Sequence, residues 1–401
     1  MIFLLFKICL SRNPVIIIPG IIGSMLKGSV AKPSSNWYCP SNINESTLWL
    51  KKQYSVHPLL DCLLEWLTLE YDNVSKVIRQ PKGVNAEIHN FGTLDGLTHR
   101  TDNWVGINFL PFWNEIIHEL EKKGWNESIS LFSAPYDWRM GISELQYLWK
   151  DLTKLVEDSY TKNDNEPVIF LSHSYGSYLL HQFLTKHTNA KWRKKYVSKA
   201  VFVAPTWGGS SMAFTLLYKK LVPFTKLKST ASLAKFIEST PSLYQHLPNY
   251  KVFKNDTLAI GPNGEKYTAA DLPRLLLEQK KIPVEFIEVF NKTLVYLNEK
   301  PVAIDVNSAI FYNSGLRMVK GMKFEDWDQE ESWINGDGDF LVNAEGAEYA
   351  CEKWKKKQKA IVYCKDIDST NMNYNHIQFI ATSKVINAVT GYVFGKNTRE
   401  L

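Results

Sequence analysis

The sequence predicts an α/β protein: a doubly wound, mostly parallel sheet with one large insertion. Continuous apolar runs such as "PVIIIPG" (Pro14–Gly20) end at proline or glycine, as strands buried on both faces do. Segments with helical spacing lie between these runs, and strand and helix alternate along most of the chain.

In chain order, Pro14–Gly20 reads as the first strand. Phe112–Trp125 places Trp113, Ile116, Ile117 and Leu120 on one helical face and stops at Gly124. Ser128–Arg139 is a strand closing on a loop, and Leu145–Tyr160 a second amphipathic helix. Val168–Leu171 is a strand followed by a helix from Tyr175, and Lys199–Ser210 a strand ending in a glycine turn. Residues 211–301 are mixed and interrupted by prolines, and read as a cap or lid over the sheet. Order returns with Ser308–Gly315, Ala360–Cys364 and a closing helix from Ile377. The sheet domain is therefore expected in two parts, 13–210 and 302–401.

Of 401 residues, 45% are hydrophobic and 22% charged, which makes the chain globular. The net charge of +6 is modest, and no stretch has the footprint of a nucleic-acid site. "KWRKK" (Lys191–Lys195) and "KWKKKQK" (Lys353–Lys359) read as solvated helix surface. The 13 tryptophans suit a core and also a lipid-facing surface. Residues 1–12 begin "MIFLLFKICLS", which is like the hydrophobic part of a secretory signal and too short to span a bilayer. Acceptor patterns for N-glycosylation stand at Asn44, Asn73, Asn126, Asn255 and Asn291. Setting aside Cys9, the cysteines are even in number, as an oxidising compartment favours. The secretory pathway is the expected location, ending in the lysosome or outside the cell.

The chemistry centres on "PVIFLSHSYGSYLL" (Pro167–Leu180). A strand, a sharp turn and a helix surround Ser174, the arrangement that lifts a nucleophilic serine off the end of a sheet. Gly176 supplies one of the small neighbours such a turn needs, while Ser172 stands where a first glycine is usual. The plainer reading is a serine that only caps the helix. A serine nucleophile needs a base and a carboxylate to orient it, in the chain order Ser, acid, His. His376 in "NYNHIQFI" is the candidate base. Asp337 and Asp339 in "NGDGDFLVN" both qualify as the acid on chemistry alone. The oxyanion donors are then the backbone N–H of Tyr175 and that of Ile21 in "PGIIGSML".

Together "PVIIIPGIIGSMLKG", "TLWL", "APYDWR", "SHSYG", "APTWGGS", "NGDGDFLVN" and "NHIQFIA" resemble the lecithin:cholesterol acyltransferase family, closest to its lysosomal (group XV) phospholipase A2 branch. The resemblance runs from Pro14 to about Gly395. It implies an α/β-hydrolase core with a cap over about Tyr218–Leu247 and a small membrane-binding subdomain at about 36–80. It also implies an acyl-serine route for hydrolysis or transfer of a phospholipid acyl chain, with no cofactor and no metal. The partner implied is a phospholipid membrane or lipoprotein surface, touched peripherally, with a lipid alcohol as possible acyl acceptor. The family's triad maps onto Ser174, Asp339 and His376, because its acid motif falls without a gap on Asp337–Asn343; Asp337 stays in reserve.

The same resemblance pairs Cys39 with Cys62 and gives Trp49 and Leu50, in the enclosed loop, the membrane contact. The family's second bridge would join Cys351 to a cysteine near position 310, where Ile310 stands; Cys364 substitutes, or Cys351 is free. Asp137 and Arg139 are expected as a buried pair supporting the site. Departures from the pattern are Phe340 and Leu341 for Gly-Thr, Ser172 for Gly or Ala, and a bulkier Tyr175 that predicts a narrower acyl channel. Ile21 replaces the acidic residue of the lysosomal branch, so an acid pH optimum need not carry over. Two rival readings remain: a catalytically impaired lipid-binding or transfer protein, and a neutral-lipid esterase.

Overall fold

The computed structural model describes residues 12–34, 36–54, 56–98, 113–220, 230–327 and 331–396. The expected signal segment lies almost entirely outside the described residues. So does part of the expected lid, 221–229.

The centre is a six-stranded sheet. In chain order its strands are β1 (Val15–Ile18), β2 (Leu131–Ser133), β3 (Val168–His173), β4 (Val197–Val203), β5 (Asn307–Tyr312) and β6 (Val362–Asp366). They lie in the order β6-β5-β4-β3-β1-β2, and every pair is parallel. The apolar run of β1 follows from burial on both faces: Ile16 and Ile18 join one hydrophobic cluster, Val15 and Ile17 the other. The helices Gln146–Lys162, Tyr175–Gln182 and Glu345–Lys357 cover the first face. Asn114–Lys122 and Ser383–Val393 cover the second. The strand order reverses between β1 and β3, so a crevice opens at their carboxyl ends, the place where such sheets bind ligands.

Several expectations shift. The closing helix starts at Ser383, not Ile377. Before it, the Asn375 side chain accepts the N–H groups of Ile377 and Gln378, a local bond that competes with helix. The described residues of 211–301 are largely helical, in segments of four to eleven residues that leave weak periodicity. A hairpin, Leu316–Phe324 with Glu331–Gly338, pairs onto Ala259–Ile260 and buries Met322 and Phe324 among Phe214, Leu272 and Phe290 of the insertion.

The small subdomain extends past 36–80. Leu26–Ala31, Asn42–Trp49 and Val84–Ile88 form its three-stranded sheet, beside a helix at Leu59–Leu67 that the Cys39–Cys62 disulfide ties down. Leu50 is buried there, and the Trp49 indole N–H donates to the Ile22 carbonyl (2.8 Å) while its ring packs on Trp138. Leu50 is thus buried and Trp49 half-buried. Trp37, two residues before the bridge, is 94% exposed. Cys351 is bonded to Cys364, which is the register partner of Ile310 on the neighbouring strand. The bridge thus reaches the sheet one strand over from the expected position. No helix among the described residues is long and apolar enough to cross a membrane.

Candidate active site

Ser174 sits at the carboxyl end of β3 with φ 53° and ψ −125°, a sharply turned backbone held between strand and helix. Close packing explains its neighbours. A Cβ on Gly176 would lie 2.3 and 2.4 Å from the carbonyl oxygens of Pro19 and Ile18, so only glycine lets the helix Tyr175–Gln182 meet β1. A Cβ on Gly20 would come within 2.7 Å of Ser174 Cβ. Ser172 fits where a glycine is usual because its hydroxyl is satisfied: it donates to the Val201 carbonyl (3.0 Å) and accepts from Ser177 Oγ (3.1 Å).

Three side chains distant in sequence converge here. Ser174 Oγ is 2.7 Å from His376 Nε2, and His376 Nδ1 is 2.6 Å from Asp339 Oδ2. The carboxylate fixes the tautomer: Nδ1–H donates to Asp339, leaving Nε2 to accept the serine proton. Asp339 Oδ1 in turn accepts the N–H groups of Val342 (2.7 Å) and Leu341 (3.2 Å). The Asp339 carbonyl accepts the His376 N–H (2.8 Å), so acid and base are joined through backbone as well. Asp337 does not join them. It is still within the strand Glu331–Gly338, exposed and opposite Arg317, whereas Asp339 lies in the turn beyond. In that turn Phe340 holds φ 79°, the left-handed region that favours glycine.

The Ile21 and Tyr175 N–H groups make no hydrogen bond to another protein group among the described residues. Ile21 and Ser174 line one cavity of about 160 Å³, whose other walls are Met212, Ala213, Leu216, Leu243 and the acid loop. Its lining is almost wholly apolar. The Tyr175 ring does not narrow it as expected: the side chain turns away to pack on Tyr136 and His246, and its hydroxyl donates to the Met140 carbonyl (3.3 Å). Asp137 and Arg139 form a buried bidentate pair (2.9 and 2.7 Å). The same guanidinium donates to the Leu67 carbonyl and Gln80 Oε1, which pins the small subdomain to the core. All five candidate asparagines, Asn44, Asn73, Asn126, Asn255 and Asn291, are exposed.

A family model, "Lecithin:cholesterol acyltransferase", matches residues 44–294. This chain belongs to that lecithin:cholesterol acyltransferase family. A rat "Lysosomal phospholipase A and acyltransferase" is 23% identical over 93% of this chain and 88% of its own length. A chicken "Phosphatidylcholine-sterol acyltransferase" is 22% identical over 92% and 88%. An Arabidopsis "Lecithin-cholesterol acyltransferase-like 1" is 26% identical over 82% and 80%. Among solved structures, a chain of the Tle4–Tli4 complex superposes with a TM-score of 0.54 over 96% of this chain and 98% of its own, at 11% identity, a likeness of fold alone. The fold is that of the α/β-hydrolases.

Two further histidines, given no role from sequence, stand at this site. In this family member His246 lines the same cavity as Ser174. Its Nδ1–H donates to the Ser242 carbonyl (2.6 Å), so Nε2 accepts from the Thr206 hydroxyl (3.2 Å), and burial pushes its pKa down to about 4. His173, next to the serine, is pushed down to about 3 by burial and by the charge of His376, and stays neutral. The "SHSYG" motif contained the signal for His173. His246 arrives through the insertion, and no local pattern marks it.

Proposed function

We propose that this chain is a serine phospholipase and O-acyltransferase that cleaves a glycerophospholipid acyl ester and passes the acyl group to water or a lipid alcohol. The observation that carries this reading is the unbroken hydrogen-bonded line from Ser174 through His376 to Asp339, opening on an apolar cavity. Ser174 Oγ attacks the ester carbonyl while His376 Nε2 takes its proton, and Asp339 stabilises the imidazolium that forms. The charge on the former carbonyl oxygen is met by the N–H groups of Ile21 and Tyr175. Collapse of the tetrahedral intermediate breaks the ester C–O bond. His376 returns the proton to the leaving lysolipid oxygen, and an acyl-serine remains. Water or an alcohol then attacks it, with His376 again as base.

The apolar lining suits an acyl chain, but about 160 Å³ is roughly the space one benzene-sized group fills. A long chain therefore requires the insertion to move, whereas a short ester does not. The names of the relatives, a phospholipase A and acyltransferase and a phosphatidylcholine-sterol acyltransferase, support phospholipid as donor. The exposed Trp37, two residues before the Cys39–Cys62 bridge, supports peripheral docking on a lipid surface. The two disulfides and the exposed acceptor asparagines support a secretory-pathway location, lysosomal or extracellular.

A fluorophosphonate probe followed by incubation with labelled phosphatidylcholine vesicles tests the reading. Wild type is expected to be labelled at Ser174 and to release free fatty acid, or an acylated alcohol when one is present, and Ser174→Ala to do neither. Folded wild type that is not labelled would favour a lipid-binding protein on the same scaffold. Activity confined to water-soluble esters would favour an esterase.

A further inference from the structure

His173 occupies a place that nothing in the reaction above uses. It is the last residue of β3, 2% exposed, and its ring lies between the two loops that meet at Ser174. On one edge, Nε2 is 3.2 Å from the His376 backbone carbonyl. A carbonyl only accepts, so the imidazole is the neutral tautomer with its proton on Nε2. The other edge faces the loop that carries Ile21: a Cβ on Gly20 would come within 3.1 Å of His173 Nδ1. The ring also lies across that of His376, with centroids 5.1 Å apart at 31°.

We propose that His173 is a positioning residue that couples the oxyanion loop to the loop of the triad histidine, holding His376 by its backbone carbonyl. The inference rests on the Ser174–His376–Asp339 reading. His376 is then gripped at three points: its N–H by the Asp339 carbonyl, its Nδ1–H by the Asp339 carboxylate, and its carbonyl by His173. The side-chain bond to Asp339 sets only the tilt of the ring. The two backbone bonds set where the ring stands relative to Ser174, and a displacement of about 1 Å in a catalytic group costs on the order of a hundredfold in rate. Burial suits the task, because a ring held neutral down to about pH 3 keeps the same donor while His376 gains and loses its proton.

Three substitutions separate this from packing alone. His173→Phe keeps the ring and removes the donor. His173→Gln keeps an N–H at similar reach without the ring. His173→Met keeps bulk with neither. Each is checked for folding by thermal melting and for fluorophosphonate labelling rate, kcat and KM on a short-chain ester. The expected result is a loss of about 10- to 100-fold in kcat and in labelling rate for Phe, with KM within twofold and most activity recovered in Gln. If Phe does not fold, Met is compared with Gln and the same difference is expected. A folded Phe or Met variant that labels at the wild-type rate overturns the proposal, as does a Gln variant as slow as Phe. Failure of wild type itself to label would instead sink the serine-hydrolase reading.

Discussion

Glu144 lies between the Asp137–Arg139 pair and the helix Gln146–Lys162, beside Gly141, against which Pro241 of the insertion packs. Its Oε2 is buried, with no side-chain hydrogen-bond partner among the described residues. Burial raises the carboxyl from 4.5 to about 7, opposed first by its own backbone N–H and then by the charge of Lys292. The sign follows from linkage. Below pH 4.5 the group is neutral folded and unfolded, so it has no effect. Between 4.5 and about 7 the unfolded chain gains by ionising while the native state holds the proton, and the penalty is complete above 7. At about 1.4 kcal/mol per unit, the full penalty is about 3 kcal/mol. Glu144→Gln keeps the shape and removes the charge. Its stability relative to wild type, from denaturant melts at pH 4.5, 6 and 8, is expected to be near zero at the lowest pH and to approach that figure at the highest. A gain of equal size at every pH would refute the reasoning, because packing rather than ionisation would then account for it; so would a loss at pH 8.

Other outcomes follow from the same geometry. His173, His181 and His246 are held to about 3, 4 and 4 by burial, so their contribution is complete above the usual 6.5 and drains away as pH falls toward 4. A melting temperature that keeps rising from pH 6.5 to 4 would contradict this. Asp339→Asn is expected to lower kcat on an ester by about four orders of magnitude, while Asp337→Asn stays within about twofold; equal losses would reopen the choice of acid. Gly176→Ala is expected to abolish labelling at Ser174, since the added methyl meets two backbone oxygens. Ser172→Ala is expected to lose about 1 kcal/mol for the bond to Val201 and to remain active, as a melt and a labelling assay on the same sample would read.

What the sequence revealed and what it hid divide along one line: whether the constraint is local. Burial on both faces writes β1 and β3 as unbroken apolar runs, and the elbow's steric demand writes Gly176, so both were legible. The acid was not legible from chemistry alone. Asp337 and Asp339 differ only in that one is inside a strand and the other past its end, and that end is set by pairing with Leu316–Phe324 far off in sequence. The resemblance favoured Asp339 because it carries the register, and Asp339 is the one hydrogen-bonded to His376. Side-chain direction that depends on distant packing was not legible: the Trp49 indole is held by Ile22 and Trp138, and Leu50 is buried. His246 stayed hidden because an insertion with short helices brings it to the cavity.

Phe340 shows how far such non-local control reaches. A side chain in the left-handed region costs about 1–2 kcal/mol, so a phenylalanine where the family resemblance expects glycine looks in sequence like a broken acid loop. Yet the turn is closed from both sides of Phe340. Asp339 Oδ1 accepts from Leu341 and Val342, the Asp339 N–H donates to the Val342 carbonyl (3.1 Å), and Ser210 Oγ and the Ser211 N–H hold Leu341 and Asn343. Five bonds at roughly 1 kcal/mol each outweigh one strained φ. The carboxylate that is bonded to His376 is thus also the group that holds its own loop, which is how a non-glycine residue is accommodated at Phe340.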